Sequence, residues 1–310
     1  MEKDLISITD LSWKDLGRIL EDARRLKKLR RQRADLKGKS LGLIFQKPST
    51  RTAVSFSVAM AELGGFPLTL DGQNLQIQRG ETMADTARTL SRYLSAIMIR
   101  ANRHADVEEL ARHATIPVIN GLTDKEHPCQ VLADLLTILE HFRMKGTANL
   151  RGFPATYVGD GNNMTHSWML AAGLLGMRLA VSCPEGYDPG RDYVEKAEAL
   201  ARASGGRVTY DRNPKAAAAG AAVVYTDVWT SMGQEAEAER RREVFKPYQV
   251  NAELLAAARP DAVVMHCLPA HRGEEIAADV LDGPRSVVFD QAENRLHVQK
   301  AVLLHCLGRK

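Results

Sequence analysis

Ser49, Thr50, Arg51 and Thr52 occupy consecutive positions between an apolar run, LGLIF (41 to 45), and a helical pattern, VSFSVAMAEL (54 to 63). Hydroxyls at such a junction accept from the free N–H groups of a helix's first turn. Those N–H groups also attract anions, and an arginine beside them adds a planar donor fork. Further on, Arg100 ends an apolar run, and His127 and Gln130 flank Pro128 and Cys129. The set consists of donors with two fixed positive charges, which matches a phosphate or another dense anion. Simpler readings exist for each: capping for the hydroxyls, an ion pair for Arg100, a core position for His127. In the second half Asn163, Asp227, Ser231, Met232 and Cys267 form a different inventory. An acid, an amide and a thiol suit a ligand that carries an amine and a carboxylate. The stretch TDVWTSMGQEAEAER (226 to 240) reads as a lid or as a plain surface loop. No G-x-x-x-x-G-K-[ST] is present, and GDGNN (159 to 163) lacks dinucleotide-site spacing.

Such residues need a scaffold, and the chain supplies an alternating one. Short β-rich runs recur at 41 to 45, 66 to 70, 96 to 100, 116 to 120, 155 to 160, 179 to 183, 221 to 227, 262 to 268 and 286 to 290. Between them lie helical patterns, one stopped by Gly64 and Gly65 and another, PCQVLADLLTILEHF, started by Pro128. The expected class is α/β, with two domains, each a parallel sheet flanked by helices. The polar, glycine-containing segment 143 to 152 is the expected boundary. Ligands of such sheets bind beyond the carboxyl ends of the strands. The unusual polar residues follow six of these strands, which places one active site in a cleft between the domains.

Bulk properties narrow the function. The chain has 310 residues, 45% hydrophobic and 26% charged, with a net charge of +4, as expected of a two-domain globular protein. No apolar run approaches the roughly 20 residues of a membrane span, and MEKDLISITD lacks a signal-peptide core, so a cytoplasmic protein is expected. Residues 18 to 39 are densely basic, but acids are interspersed and Ile19, Leu20, Ala23, Leu26 and Leu29 fall at helical spacing. A solvated helix face is preferred to a nucleic-acid arm. The four cysteines, at 129, 183, 267 and 306, form no C-x-x-C pair, so neither a disulfide framework nor a zinc site is indicated.

Taken in order, STRT (49 to 52), HPCQ (127 to 130), DGNN (160 to 163), DVWTSMGQE (227 to 235), HCLP (266 to 269) and AENR (292 to 295) resemble the motifs of the aspartate and ornithine carbamoyltransferases. The SMGQE and HCLP elements point to the ornithine branch. The resemblance implies a carbamoyl-phosphate-binding domain (1 to 142, with a helix at 293 to 310 returning to it) and an ornithine-binding domain (143 to 292). It implies that Ser49, Thr50, Arg51, Thr52, Gln76, Arg100, His127, Gln130, Cys267, Leu268 and Arg295 bind carbamoyl phosphate. Asn163, Asp227, Ser231 and Met232 would bind L-ornithine, and Arg51, Arg100, His127, Asp227 and Cys267 would be catalytic. It further implies a homotrimer with shared sites, Gln76 coming from a neighbour, and no metal or organic cofactor. Ala53 departs from the usual STRTR pattern, which puts in doubt an ion pair behind the phosphate loop. Alternatives are transfer to putrescine or N-acetylornithine, or a noncatalytic anion-binding relative.

Overall fold

The structure, a computed structural model, describes residues 4–29, 33–72, 75–230 and 235–308. Its elements run α1 (Trp13–Lys28), β1 (Ser40–Phe45), α2 (Thr50–Glu62), β2 (Phe66–Asp71), α3 (Met83–Leu90), β3 (Ala96–Arg100), α4 (His104–His113), β4 (Val118–Leu122) and α5 (Pro128–His141). There follow β5 (Pro154–Val158), α6 (Asn163–Leu175), β6 (Arg178–Ser182), α7 (Arg191–Ser204), β7 (Arg207–Tyr210), α8 (Pro214–Ala218) and β8 (Val223–Thr226). The chain closes with α9 (Ala238–Phe245), α10 (Ala252–Ala257), β9 (Val263–His266), α11 (Ala278–Leu281) and α12 (Val288–Leu307). No helix among the described residues is long and apolar enough to cross a membrane.

Contacts divide the chain into a first unit, Met1–Leu136 with Glu293–Lys310, and a second, Thr137–Ala292. The first unit carries a parallel sheet in the order β2-β1-β3-β4. β1 is buried at five of its six positions, as a strand covered on both faces must be. β2 is the edge strand and leaves Phe66 and Leu68 exposed. α1 is stapled at its start by a Ser12–Asp15 capping box and buries Leu16, Ile19, Leu20, Ala23 and Leu26. Leu29, expected on that buried face, is instead exposed, because the helix has ended at Lys28 and Leu29 is its C-cap. The fourth run, expected at 116 to 120, forms its strand two residues later.

The second unit has the parallel order β7-β6-β5-β8-β9. β7 has no counterpart among the expected strands. It is four residues long, lies at the sheet edge and carries exposed Arg207 and Tyr210, so its apolar signal is weak. The strand expected at 286 to 290 is corrected: Ser286 makes an isolated bridge to Val264, and a helix starts at Val288. The valines are buried there, but the N–H of Gln291 bonds the carbonyl of Val287 at 2.9 Å and opens the helical ladder through DQAENR. The division between units falls at Leu136/Thr137, inside α5 and upstream of the polar segment 143 to 152. Phe142, just past that helix, stacks edge-on to Phe153 of the second unit at 5.1 Å.

Both sheets reverse their winding direction once. In the first the reversal lies between β1 and β3, in the second between β5 and β8. A crevice opens at such points beyond the strand ends, where ligands are received. Ser49–Thr52 stand at the start of the helix after β1 and Arg100 ends β3; Asn163 starts the helix after β5 and Asp227 directly follows β8.

Candidate active site

In the first unit Ser49 is the N-cap of α2, and its side chain accepts from the N–H of Thr52 at 3.3 Å. Thr50 and Arg51 open the helix, and Arg51 is exposed. Thr52 is buried and accepts from Arg295 at 3.2 Å. The same guanidinium donates to Gln130 Oε1 at 2.5 Å, while the Gln130 amide donates to Asp134 at 2.9 Å. α12 therefore brings Arg295 to the start of α2 and the start of α5 at once.

His127 precedes Pro128 at the start of α5 and is buried. Burial, with the guanidiniums of Arg295, Arg100 and Arg51 nearby, holds its imidazole well below the usual histidine range. The ring is consequently neutral and lies among three cations. Arg100, the last residue of β3, is likewise buried. Gln76, itself exposed, opens the 3-10 turn Gln76–Arg79. Ala53 is half-buried, and its N–H takes the ordinary helical bond to Ser49.

In the second unit the centre is Asp227, one residue beyond β8. Its Oδ1 accepts from the thiol of Cys267 at 2.9 Å and from the N–H of Val228 at 2.8 Å. Its Oδ2 accepts from the Asn162 amide at 2.9 Å. Asn162 is also the N-cap of α6, its oxygen receiving the N–H groups of Met164 and Thr165 and the phenol of Tyr157 at 3.1 Å. Burial, and next Asp227, push that phenol well above the usual tyrosine range, so it remains a donor. Gly161 keeps this turn tight: a Cβ there would lie 2.3 Å from the nitrogen of Pro189. Asn162, although inside the DGNN motif, and Tyr157 are not among the site residues expected from the sequence. The N-cap position before α6 was the available signal for Asn162, whereas nothing local marks Tyr157.

Asn163, the expected neighbour, is the first residue of α6 and half-buried, with its carbonyl accepting from Ser167 at 2.9 Å. Ser231 and Met232 lie outside the described residues. Leu268 has a left-handed backbone, φ 57°, and its N–H donates to His266 Nδ1 at 2.8 Å. His266 Nε2 in turn faces buried Glu275 at 3.1 Å, so the imidazole ties the start of the HCLP turn to the core. Asp227, His266 and Cys267 bring potential metal-ligand atoms within 4.8 Å of one another, as do His271, Glu274 and Glu275. In the first group both imidazole nitrogens are engaged by Leu268 and Glu275, and in the second Glu274 is paired with Arg242 at 3.0 Å.

Comparison with known proteins covers nearly the whole chain. Residues 3–140 match the family model of the aspartate/ornithine carbamoyltransferase carbamoyl-P binding domain. Residues 151–306 match that of the aspartate/ornithine carbamoyltransferase Asp/Orn binding domain. The anabolic ornithine carbamoyltransferase of Pyrococcus furiosus is 55% identical over 309 residues, covering 99% of this chain and 96% of that protein. The ornithine carbamoyltransferase of Syntrophus aciditrophicus is 56% identical over 306 residues, covering 98% and 99%. The solved P. furiosus structure superimposes with a TM-score of 0.92 at 54% identity, over 97% of this chain and 96% of that one. The Thermus thermophilus enzyme gives 0.89 at 44% identity, over 99% of both.

Proposed function

The chain belongs to the aspartate/ornithine carbamoyltransferase family, and on that premise we propose that it transfers the carbamoyl group of carbamoyl phosphate to the side-chain amine of L-ornithine, giving L-citrulline and phosphate. The observation that carries this reading is the grouping of Arg51, Arg100 and Arg295 around a neutral His127. That is a cationic, donor-rich surface suited to a phosphate and a polarised carbonyl. The relatives' names bring ornithine to this chain, and the Pyrococcus furiosus name brings the anabolic direction.

In this reading the first unit binds carbamoyl phosphate and the second binds ornithine. Ser49 to Thr52 hold the phosphate with hydroxyls, helix N–H groups and the Arg51 fork. Arg100, His127, Gln130 and Arg295 hold the carbamoyl end. The imidazole, being neutral, keeps one N–H to donate to the carbonyl oxygen while adding no further charge. Asn163, Asp227, Ser231 and Met232 hold ornithine. An alkyl ammonium has a reference pKa of about 10.4 and must lose a proton before it attacks. Asp227 and Cys267, joined at 2.9 Å, orient that amine, and Leu268 lines the reacting carbon. The amine, its first proton released to solvent, attacks the carbamoyl carbon; the bond to the phosphate oxygen breaks, phosphate leaves with the pair of electrons, and the nitrogen's second proton passes to the departing phosphate. Arg51 and Arg100 stabilise the departing charge. Phosphate is a good leaving group, so the step as written requires no metal or organic cofactor.

The assembly we propose is a homotrimer with sites shared between copies, working in the cytoplasm. Val54 and Val58 on α2 and Phe66 and Leu68 on the edge strand β2 are exposed apolar side chains of the kind a second copy would cover. Gln76, a short distance along the chain from β2, is the residue offered to the neighbour's site. A product assay with carbamoyl phosphate and, in parallel, ornithine, putrescine, N-acetylornithine and aspartate tests the reading. Citrulline from ornithine alone is expected; turnover with another acceptor and none with ornithine would overturn it.

A further inference from the structure

Arg241 lies on α9, outside every motif that the sequence singled out, yet its side chain is 6% exposed. Its Nη1 donates to Asp160 Oδ2 at 3.0 Å and to the carbonyl of Trp229 at 2.7 Å. Its Nε donates to Glu237 at 3.3 Å. The guanidinium stacks over the ring of Tyr187 at 4.8 Å and approaches that of Phe245 at 5.7 Å. Asp160 stands in the loop after β5, Tyr187 in the loop after β6, and Trp229 in the loop after β8. One buried cation thus joins three loops at the carboxyl edge of the second sheet. One of these leads directly into Asn163 at the start of α6, and another carries Asp227.

Taking two charges out of water is unfavourable, and a well-packed apolar pair often replaces a buried ion pair with no loss of stability. A lysine has one compact charge and no planar fork, so it cannot reproduce the bonds to Asp160 and Trp229 together with the stacking on Tyr187. We propose that Arg241 is a positioning residue for the second substrate: it fixes the spacing between the Asn163 loop and the Asp227 loop, and so sets the affinity for ornithine. This inference rests on the ornithine-transfer reading.

The test is steady-state kinetics of the full-length protein with Arg241→Lys, both substrates being varied. The expected result is a rise of about tenfold or more in KM for ornithine, because small displacements of positioning groups have large effects. KM for carbamoyl phosphate should change less than about twofold, and kcat should fall less than KM rises. A fall in kcat with both KM values unchanged, or an equal rise in both, overturns the inference, since a general loss of packing gives no such split. If Arg241→Lys does not fold, Asp160→Asn is assayed in its place, because it retains the shape and removes one charge. It must shift the ornithine KM in the same direction, and an unshifted value overturns the inference. Wild-type protein that makes no citrulline defeats the underlying reading; active wild type with an unshifted variant defeats only the role of Arg241.

Discussion

The candidate residues of the two units are held by opposite means. In the first, guanidiniums are the fixed parts: Arg295 reaches Thr52 and Gln130, and burial, followed by Arg295, Arg100 and Arg51, suppresses the charge of His127. In the second, a carboxylate is the fixed part, with Asn162, Cys267 and the N–H of Val228 all donating to Asp227. A surface made of cations and N–H groups is ready for a dense anion before it arrives. A carboxylate whose oxygens already accept protein hydrogen bonds is aimed, so that an incoming amine meets it in one orientation. In the proposed reaction, charge stabilisation would fall to the first unit and orientation to the second.

The largest effect should come from the cationic side. Arg51→Ala is expected to lower kcat by on the order of a hundredfold or more, the magnitude of losing one oxyanion donor. Near-normal citrulline production by that variant would remove the charge-stabilising role. On the other side, Asn162→Ala takes away one donor to Asp227 and the α6 cap together. A loss of about tenfold in kcat/KM for ornithine is expected, from about 1.5 kcal/mol for a hydrogen bond to a charged group. An unchanged value would show that Asp227 needs no such aim.

The neutral His127 gives a prediction in pH. The folded state resists protonating it, whereas the unfolded chain takes the proton near pH 6.5. Stability should therefore be full above about pH 6.5 and fall as pH drops below it, by up to about 1.4 kcal/mol per pH unit for this residue. Urea unfolding of wild type and His127→Gln across pH 7 to about 5 checks this, and the variant should show the shallower decline. His104, His297 and His305, also lowered chiefly by burial, act in the same direction and remain in both proteins. The smallest effect concerns the thiol. Cys267→Ser keeps a donor for Asp227 and should retain a few-fold more activity than Cys267→Ala, a difference of under about 1.5 kcal/mol. Equal activities would deprive the hydrogen bond of its orienting role.

How legible these regions were differs in the same way. The cationic set is local in sequence: a cap at Ser49, an arginine at a strand end and a histidine before a helix-starting proline are each visible within a few residues. The fold class was equally plain, since buried parallel strands are continuous apolar runs. β7 escaped because an edge strand needs little apolar surface, and 286 to 290 misled because its two buried valines lead into a helix that begins at Val288. Asn162 and Arg241 escaped for another reason: their partners lie 65 and 81 residues away along the chain.

What the sequence determined by itself is therefore most of the alternation of strands and helices and the residue types standing near the strand ends. These follow from burial period, caps and helix stops, all short-range. Only the tertiary structure decided that Arg295 closes on Thr52 and Gln130, that Asn162 aims Asp227, and that Arg241 joins three loops. Sheet order sets which strand ends become neighbours, and that order is fixed by packing among distant segments.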